Sequence, residues 1–284
     1  RETPVALRVV ADVPAGRRFG GQVEQGAAVH IYTGAPVPEG ANAIVRVEDT
    51  ELSGDGVRLF APARAEDIRP QGQDFAAGTV LLRTGERLDA AALGLAAAMG
   101  HAEVTVARRP RVGILTTGDE VVAPGEPLEP GQVYDANSSS VAGLVRAAGA
   151  EAVVLPRVRD DPAQLERAVA EAGGLDLLLT SGGVSMGRYD FVRDLLFERG
   201  EVVFWKVAMR PAGPALFGRY AGVSVLGLPG NPVSSMIAFL VLARPFLQVA
   251  LGSRERIPYA RRLSAVALEA VPGTPGKETF ARVR

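Results

Sequence analysis

Two apolar runs in the 284-residue chain each end in a glycine-rich elbow. Leu177-Leu178-Leu179-Thr180 leads into Ser181-Gly182-Gly183-Val184-Ser185-Met186-Gly187, and Val225-Leu226-Gly227-Leu228 leads into Pro229-Gly230-Asn231-Pro232-Val233-Ser234-Ser235. Each predicts a buried strand that stops at small residues and opens into a helix, whose first N–H groups are left available to an anion. Asp190 follows the first elbow, and a carboxylate beside an anion-binding loop calls for a bridging cation such as Mg2+. The chemistry expected is a magnesium-assisted reaction at phosphate.

Further acids stand where apolar strands end, at Asp119-Glu120 and Asp160-Asp161. Carboxylates converging on one crevice repel unless a divalent ion or proton intervenes, so Asp190, Asp160 and Glu120 form a candidate Mg2+ site. Helix capping competes with this reading. It is preferred for Asp161, which precedes Pro162, stays open for Asp160 and Glu120, and combines with ligation at Asp190. Ser181, Gly182, Gly183 and Ser185 in one elbow, and Pro229, Asn231 and Pro232 in the other, are candidate substrate contacts, the prolines stiffening a preorganised pocket. Lys206 and Arg210, past the strand that holds Trp205, could clamp an oxyanion; Arg210 also reads as a solvated surface cation, and Trp205 as core. His30 and His101 lack spaced partners for a metal, and no Gly-x-Ser-x-Gly elbow surrounds Ser181 or Ser185.

The elements that must position these groups follow from periodicity. From Pro110 strands alternate with helices: strands 112–115, 151–156, 175–179, 202–205 and 223–226, helices 138–148, 162–172, 190–199 and 233–251. This predicts a doubly wound, mostly parallel α/β sheet over 109–257, with Thr116, Asp160, Ser181 and Pro229 gathered beyond the strand ends. Residues 1–78 predict a β-rich domain with alternation at Ala43–Glu48 and Val57–Phe60. Residues 79–108 predict a small linking α+β segment with a short strand from Leu81, a helix near 89–99 and a strand 102–107; residues 258–284 predict a partial C-terminal β domain.

With 47% hydrophobic residues the chain can bury a large core, and a net charge of −1 argues against a nucleic-acid or membrane surface. The absence of cysteine excludes disulfides, thiolate metal sites and cysteine nucleophiles, so a metal must be held by oxygen ligands. The apolar stretch Met236–Ala243 is short for a membrane span and predicts a core helix. No charged-then-apolar leader follows Arg1, so no signal peptide is expected and a cytoplasmic location fits. Of the 31 basic residues only Lys206 and Lys277 are lysine.

Thr33-Gly34-Ala35-Pro36-Val37-Pro38-Glu39-Gly40, Thr117-Gly118-Asp119-Glu120, Asp160-Asp161, the stretch from Thr180 to Asp190 and that from Gly227 to Ser234 together resemble the molybdopterin molybdenumtransferases, the MoeA family that includes the C-terminal domain of gephyrin. The resemblance implies an elongated homodimer whose active site is shared between subunits, taking adenylylated molybdopterin and molybdate and, with Mg2+, releasing AMP and the molybdenum cofactor. It makes Asp160, Glu120 and Asp190 the residues that position metal and substrate, Thr33 and Asp74 residues facing the neighbouring subunit, and Pro229 and Pro232 shapers of the substrate loop. Departures from the family pattern are Arg188 for an acid, Gln73 for a glutamate, and Arg210-Pro211-Ala212-Gly213-Pro214 for Lys-Pro-Gly-Lys-Pro, where Gly213 removes an anion-binding lysine. By the same resemblance the α/β sheet of 109–257 is of the molybdopterin-binding type, the family's Asp-Gly-Tyr-Ala motif is missing before Arg1 and the last domain is cut short at Arg284, so impaired activity is expected of this chain by itself. A gephyrin-like scaffold and an adenylyltransferase acting on molybdopterin are the alternatives.

Overall fold

The computed structural model describes residues 4–185, 187, 190–254, 264–266, 268–271 and 273–281. The departure at Arg188 and the start of the C-terminal domain at Pro258 lie outside the described residues. The chain divides into two units, Arg1–Leu81 and Leu82–Arg284.

In the first unit, alternation in β1 (Val5–Val13) turns every second side chain toward solvent. Its sheet runs in the order β2 (Ala27–Ile31), β1, β4 (Gly56–Leu59), β3 (Thr50–Ser53), with β1 and β2 parallel and the other pairs antiparallel. The alternation at Ala43–Glu48 does not become a strand. Ile44 makes an isolated bridge to Arg64, and a single 3-10 turn begins at Val47.

The second unit opens with α1 (Ala90–Ala98), capped by Asp89, whose carboxylate accepts from Ala92 N at 2.9 Å. The strands expected from Leu81 and over 102–107 are not formed. A strand needs a ladder, and among the described residues neither stretch finds a partner.

From Arg111 the expected alternation holds. A six-stranded sheet has the order β10 (Glu201–Trp205), β12 (Leu216–Tyr220), β13 (Val223–Leu228), β9 (Leu177–Ser181), β5 (Arg111–Thr116), β8 (Glu151–Val154). Strands β13, β9, β5 and β8 are mutually parallel; β12, absent from the sequence expectation, is antiparallel to both its neighbours. Short pairs join β6 (Val121–Val122) to β7 (Val133–Tyr134), and β11 (Met209–Arg210) to β14 (Glu278–Thr279).

The fully buried β9 divides its leucines between two cores. Leu177 and Leu179 pack with Val141 and Val145 of α2 (Ala136–Ala147) and with Ala238 and Phe239. Leu178 packs with Leu165 and Val169 of α3 (Pro162–Glu171) and Val192 and Leu196 of α4 (Phe191–Arg199). Helices thus cover both faces, each buried leucine contributing about 1.5–3 kcal/mol. As the spacing predicts, Asp161 caps α3, accepting from Ala163 N at 2.8 Å and Gln164 N at 3.3 Å.

The last helix among the described residues, Pro232–Ala250, has 19 residues and a mean hydropathy of 1.7, long and apolar enough on those counts to cross a membrane. Its Ala238, Phe239, Ala243 and Leu247 are instead buried in the core, in keeping with the core-helix expectation. It comprises α5 (Pro232–Ala238), a π segment at Phe239–Ala243 and α6 (Arg244–Ala250). Pro245 accounts for the π segment, because it lacks an N–H and its ring crowds the carbonyl four residues back, which re-registers the ladder.

Asp176 ties the strand entrances together. Arg108 donates to its two oxygens at 2.7 and 2.5 Å, and Arg111 N donates at 2.8 Å. The hydrogen bond from Arg108, followed by that from Arg111 N, holds this carboxyl below the usual carboxylate range. A lowered native value stabilises the fold above about pH 4, a contribution lost as pH falls through that native value. Asp176→Asn is expected to lower Tm at neutral pH by roughly 3–6 °C and to flatten the Tm profile below about pH 4. Thermal scans across acid pH check this; an unchanged acid profile contradicts it.

Candidate functional site

At the carboxyl end of β9 the chain turns at Gly182 and Gly183, whose φ angles are +95° and +70°. Glycine is required there: a Cβ on Gly183 would lie 2.9 Å from Val192 Cγ2. The neighbouring elbow after β13 lies directly against this one. Gly182 N donates to Leu228 O at 3.0 Å, and a Cβ on Gly230 would be 3.7 Å from Gly182 Cα.

Asn137, at the second position of α2, joins the two elbows and was not among the residues expected. Buried to 7% exposure, it donates from Nδ2 to Ser181 Oγ and to Gly230 O, both at 2.7 Å. Helix α2 is aimed by Asp135, whose carboxylate accepts from Ser138 N at 2.9 Å and from Ser138 Oγ at 2.6 Å. Ser138 Oγ in turn lies 2.8 Å from Thr116 Oγ1 at the end of β5. Asn137 Oδ1, Thr180 Oγ1 and Ser235 Oγ are buried with no protein partner, so polar capacity is left over around the elbows.

Several expected roles change. Gly182 N and Gly187 N are used inside the protein, the latter by Asp190 Oδ2, so these donors do not await an anion. Asp190 stands at the N-cap of α4 but makes no cap hydrogen bond; its carboxylate closes the elbow and lies 4.0 Å from Arg193 Nη1. Asn231 spends its side-chain oxygen capping α5, accepting from Ser234 N at 3.2 Å, and Pro232 occupies the first turn of that helix. Pro229 is half-buried at the end of β13.

The three-carboxylate centre is not assembled. Among the described residues no three His, Asp or Glu side chains come together as a metal-holding group. The loop after β5 decides this: Glu120 folds back onto Gly118, where a Cβ would collide with Glu120 Oε2, while Asp119 faces Asp160. Asp119 N donates to Asp160 Oδ2 and Asp160 N to Asp119 Oδ1, both at 3.4 Å. Arg157 steadies the loop by donating to Gly118 O at 3.1 Å and to Val121 O. Asp160 shares a small crevice with Thr117, Arg159, Phe191 and Val192, at the foot of α4.

Beside the elbow runs an open groove of about 470 Å3, lined by Ser185, Lys206, Val207, Ala208, Gly213, Pro214 and Lys277. Both lysines of the chain line it. Arg210, expected to accompany Lys206, donates to Thr274 Oγ1 at 3.1 Å instead. The pairing of β11 with β14 explains the exchange, since it engages Arg210 and carries the neighbouring Lys277 to the groove. Trp205 is half-buried rather than sealed in the core, with Lys206 Nζ 4.3 Å from its ring centroid. In the first unit Thr33 is exposed, and Asp74 is held by Arg69 at 2.6 Å.

A doubly wound sheet with two linked glycine elbows at its strand ends defines an α/β domain that takes a ligand in the crevice beyond them. Consistently, residues 113–249 match the family described as a probable molybdopterin binding domain, and residues 2–100 match the MoeA N-terminal region, domains I and II. The chain is 44% identical to molybdopterin molybdenumtransferase 2 of Mycobacterium tuberculosis, covering 99% of this chain and 71% of that one. It is 38% identical to molybdopterin molybdenumtransferase of Haemophilus influenzae, covering 88% of this chain and 63% of that one. A molybdopterin biosynthesis MoeA protein from Pyrococcus horikoshii OT3 superposes with a TM-score of 0.74 at 26% identity, covering 97% of this chain and 68% of that one. The chain belongs to the molybdopterin molybdenumtransferase family.

Proposed function

We propose that this chain inserts molybdenum into molybdopterin, taking the pterin as its adenylylated form together with molybdate and releasing AMP. Membership of the family makes it a transferase of molybdenum cofactor biosynthesis. The observation that carries the finer reading is the Asn137 clamp, which holds two glycine elbows together at the ends of adjacent parallel strands. Open α/β sheets bind ligands there. The scaffold and adenylyltransferase readings gain no support from the relatives, whose names are those of the transferase.

In this reading the elbows bind the pterin and its phosphates, with Ser181, Gly182 and Gly183 shaping the turn and the more accessible Ser185 and Pro229 contacting the substrate. Asp190 keeps the first elbow closed through Gly187 N. The groove receives molybdate between Lys206 and Lys277, which supplies a cation on the surface where Gly213 has none. A tetrahedral dianion is well served by two ammonium groups acting as point charges. Asp160, Asp119 and Thr117 offer oxygen atoms of the kind a hard divalent cation takes, and Mg2+ is ordinarily held by one or two carboxylates plus substrate phosphates rather than by a protein cage. These residues therefore fit Mg2+, which when bound supplies charge neutralisation at the bridging phosphates. The protein's own contribution is to fix both substrates and to exclude other geometries. Exposed Thr33 and Asp74 are proposed to complete the site of a second copy in a cytoplasmic homodimer.

The test is AMP release from adenylylated molybdopterin, measured against molybdate and Mg2+ concentration. Release is expected to require both, and Asp160→Asn is expected to raise the Mg2+ concentration for half-maximal release about tenfold with Tm unchanged. Release indifferent to molybdate would overturn the assignment, and an unshifted Mg2+ curve would remove Asp160 from the cation site.

A further inference from the structure

We infer that Trp205 is a positioning residue that holds the Lys206 ammonium ready for a tetrahedral oxyanion; the inference rests on reading the groove as the molybdate site. Successive side chains of a strand point to opposite faces, so Trp205 and Lys206 would ordinarily be kept apart. They meet because Lys206 adopts φ +68°, a left-handed conformation uncommon outside glycine. Lys206 N is secured to Ala215 O at 3.1 Å, and the turned backbone lays Nζ over the indole at 4.3 Å from its centroid. That is well inside cation–π range, and backbone strain of this kind clusters at functional sites.

The ring is itself fixed. Its Nε1 donates to Val184 O at 3.0 Å, and Phe197 meets it edge-on at 5.4 Å and 78°. Arg193, whose guanidinium carbon lies 5.9 Å from the same ring centroid, donates to Ser185 O at 2.9 Å. The indole therefore joins the end of the glycine elbow to the lysine beside it. A lysine on its flexible four-carbon stem loses much rotamer freedom when it grips a ligand, and docking its head on a fixed aromatic face removes part of that loss beforehand.

The chain has a single tryptophan, so its emission reports this residue alone. Sodium molybdate is titrated into the full chain by calorimetry and by fluorescence, for wild type, Lys206→Ala, Trp205→Phe and Trp205→Leu. Lys206→Ala and Trp205→Leu are expected to weaken binding about tenfold, whereas Trp205→Phe, which keeps an aromatic face, stays within about threefold of wild type. Wild-type emission is expected to change with the calorimetric half-saturation. Absence of binding to wild type would overturn the groove reading and this inference with it. Binding weakened by Lys206→Ala but intact in Trp205→Leu would overturn the positioning role alone. So would a Trp205→Phe as weak as Trp205→Leu at unchanged Tm, because the Val184 hydrogen bond and not the ring face would then matter. If Trp205→Leu fails to fold, Trp205→Phe and the wild-type emission decide, and emission unmoved by bound molybdate overturns the role.

Discussion

Asn137→Leu is expected to lower AMP release at least about a hundredfold while the chain still folds. Leucine matches the shape of asparagine and removes only its polar atoms. Ser181 Oγ and Gly230 O then lose their donor in a place where Asn137 is itself almost sealed from water. Leaving a buried acceptor unpaired costs about 1–3 kcal/mol, which applies in full at buried Ser181 and only in part at exposed Gly230, so the two together cost roughly 2–4 kcal/mol. A domain of ordinary stability, about 5–15 kcal/mol, survives that loss, with Tm down by roughly 5–15 °C. Activity falls further than stability because the two elbows come from separate strands, with Asn137 bonded to both. Displacement of one elbow by about 1 Å is enough to cost a hundredfold in rate. Circular dichroism melts and AMP-release kinetics on the same preparation check this. Native-like turnover with a lowered Tm would make Asn137 a stability residue only.

How much of this was legible beforehand depends on the range of the interaction. The parallel strands were readable because strands buried on both faces are continuous apolar runs, as Leu177-Leu178-Leu179 is. Asp161 was readable as a cap because the residues it holds are its immediate neighbours. Strand β12 was hidden because Leu216–Tyr220 carries a glycine and an arginine, and its turn is Ala221-Gly222. Both turn residues have positive φ, +49° and +78°, a conformation for which Asn-Gly is the usual marker.

At the site the same rule applies more strictly. Asn137 was passed over because Asp135-Ala136-Asn137-Ser138 reads locally as a helix start, and its hydrogen-bond partners are 44 and 93 residues away. Between the adjacent acids Asp119 and Glu120, only the fold of a glycine-led loop selects which one faces Asp160. Lys277 gave no local sign of function, and a two-residue ladder places it on the groove. Elements were legible from pattern, whereas site membership was decided by pairings between distant segments.

Gly183→Ala and Gly143→Ala, the same added methyl group, are expected to act in opposite directions. At Gly183 the backbone has φ +70°, and the new Cβ would meet Val192 Cγ2 at 2.9 Å and Val192 N at 3.3 Å. Val192 is buried in the first turn of α4, and Gly183 O accepts from Arg193 N at 3.0 Å, so neither side yields without moving the elbow or the helix. Left-handed backbone costs a non-glycine residue about 1–2 kcal/mol, and the contact adds to it. AMP release is expected to fall roughly a hundredfold, since the elbow proposed to bind the phosphates is the part displaced. At Gly143, inside α2, an added Cβ meets nothing within 4 Å. Alanine there spares helix entropy and stabilises by about 0.5–1 kcal/mol with turnover unchanged. Denaturant unfolding and AMP-release assays on the two variants check the pair. If Gly183→Ala turns over like the wild type, the elbow does not need its left-handed turn and its role in holding the phosphates falls; if Gly143→Ala is destabilising, α2 is packed more tightly than its open face indicates.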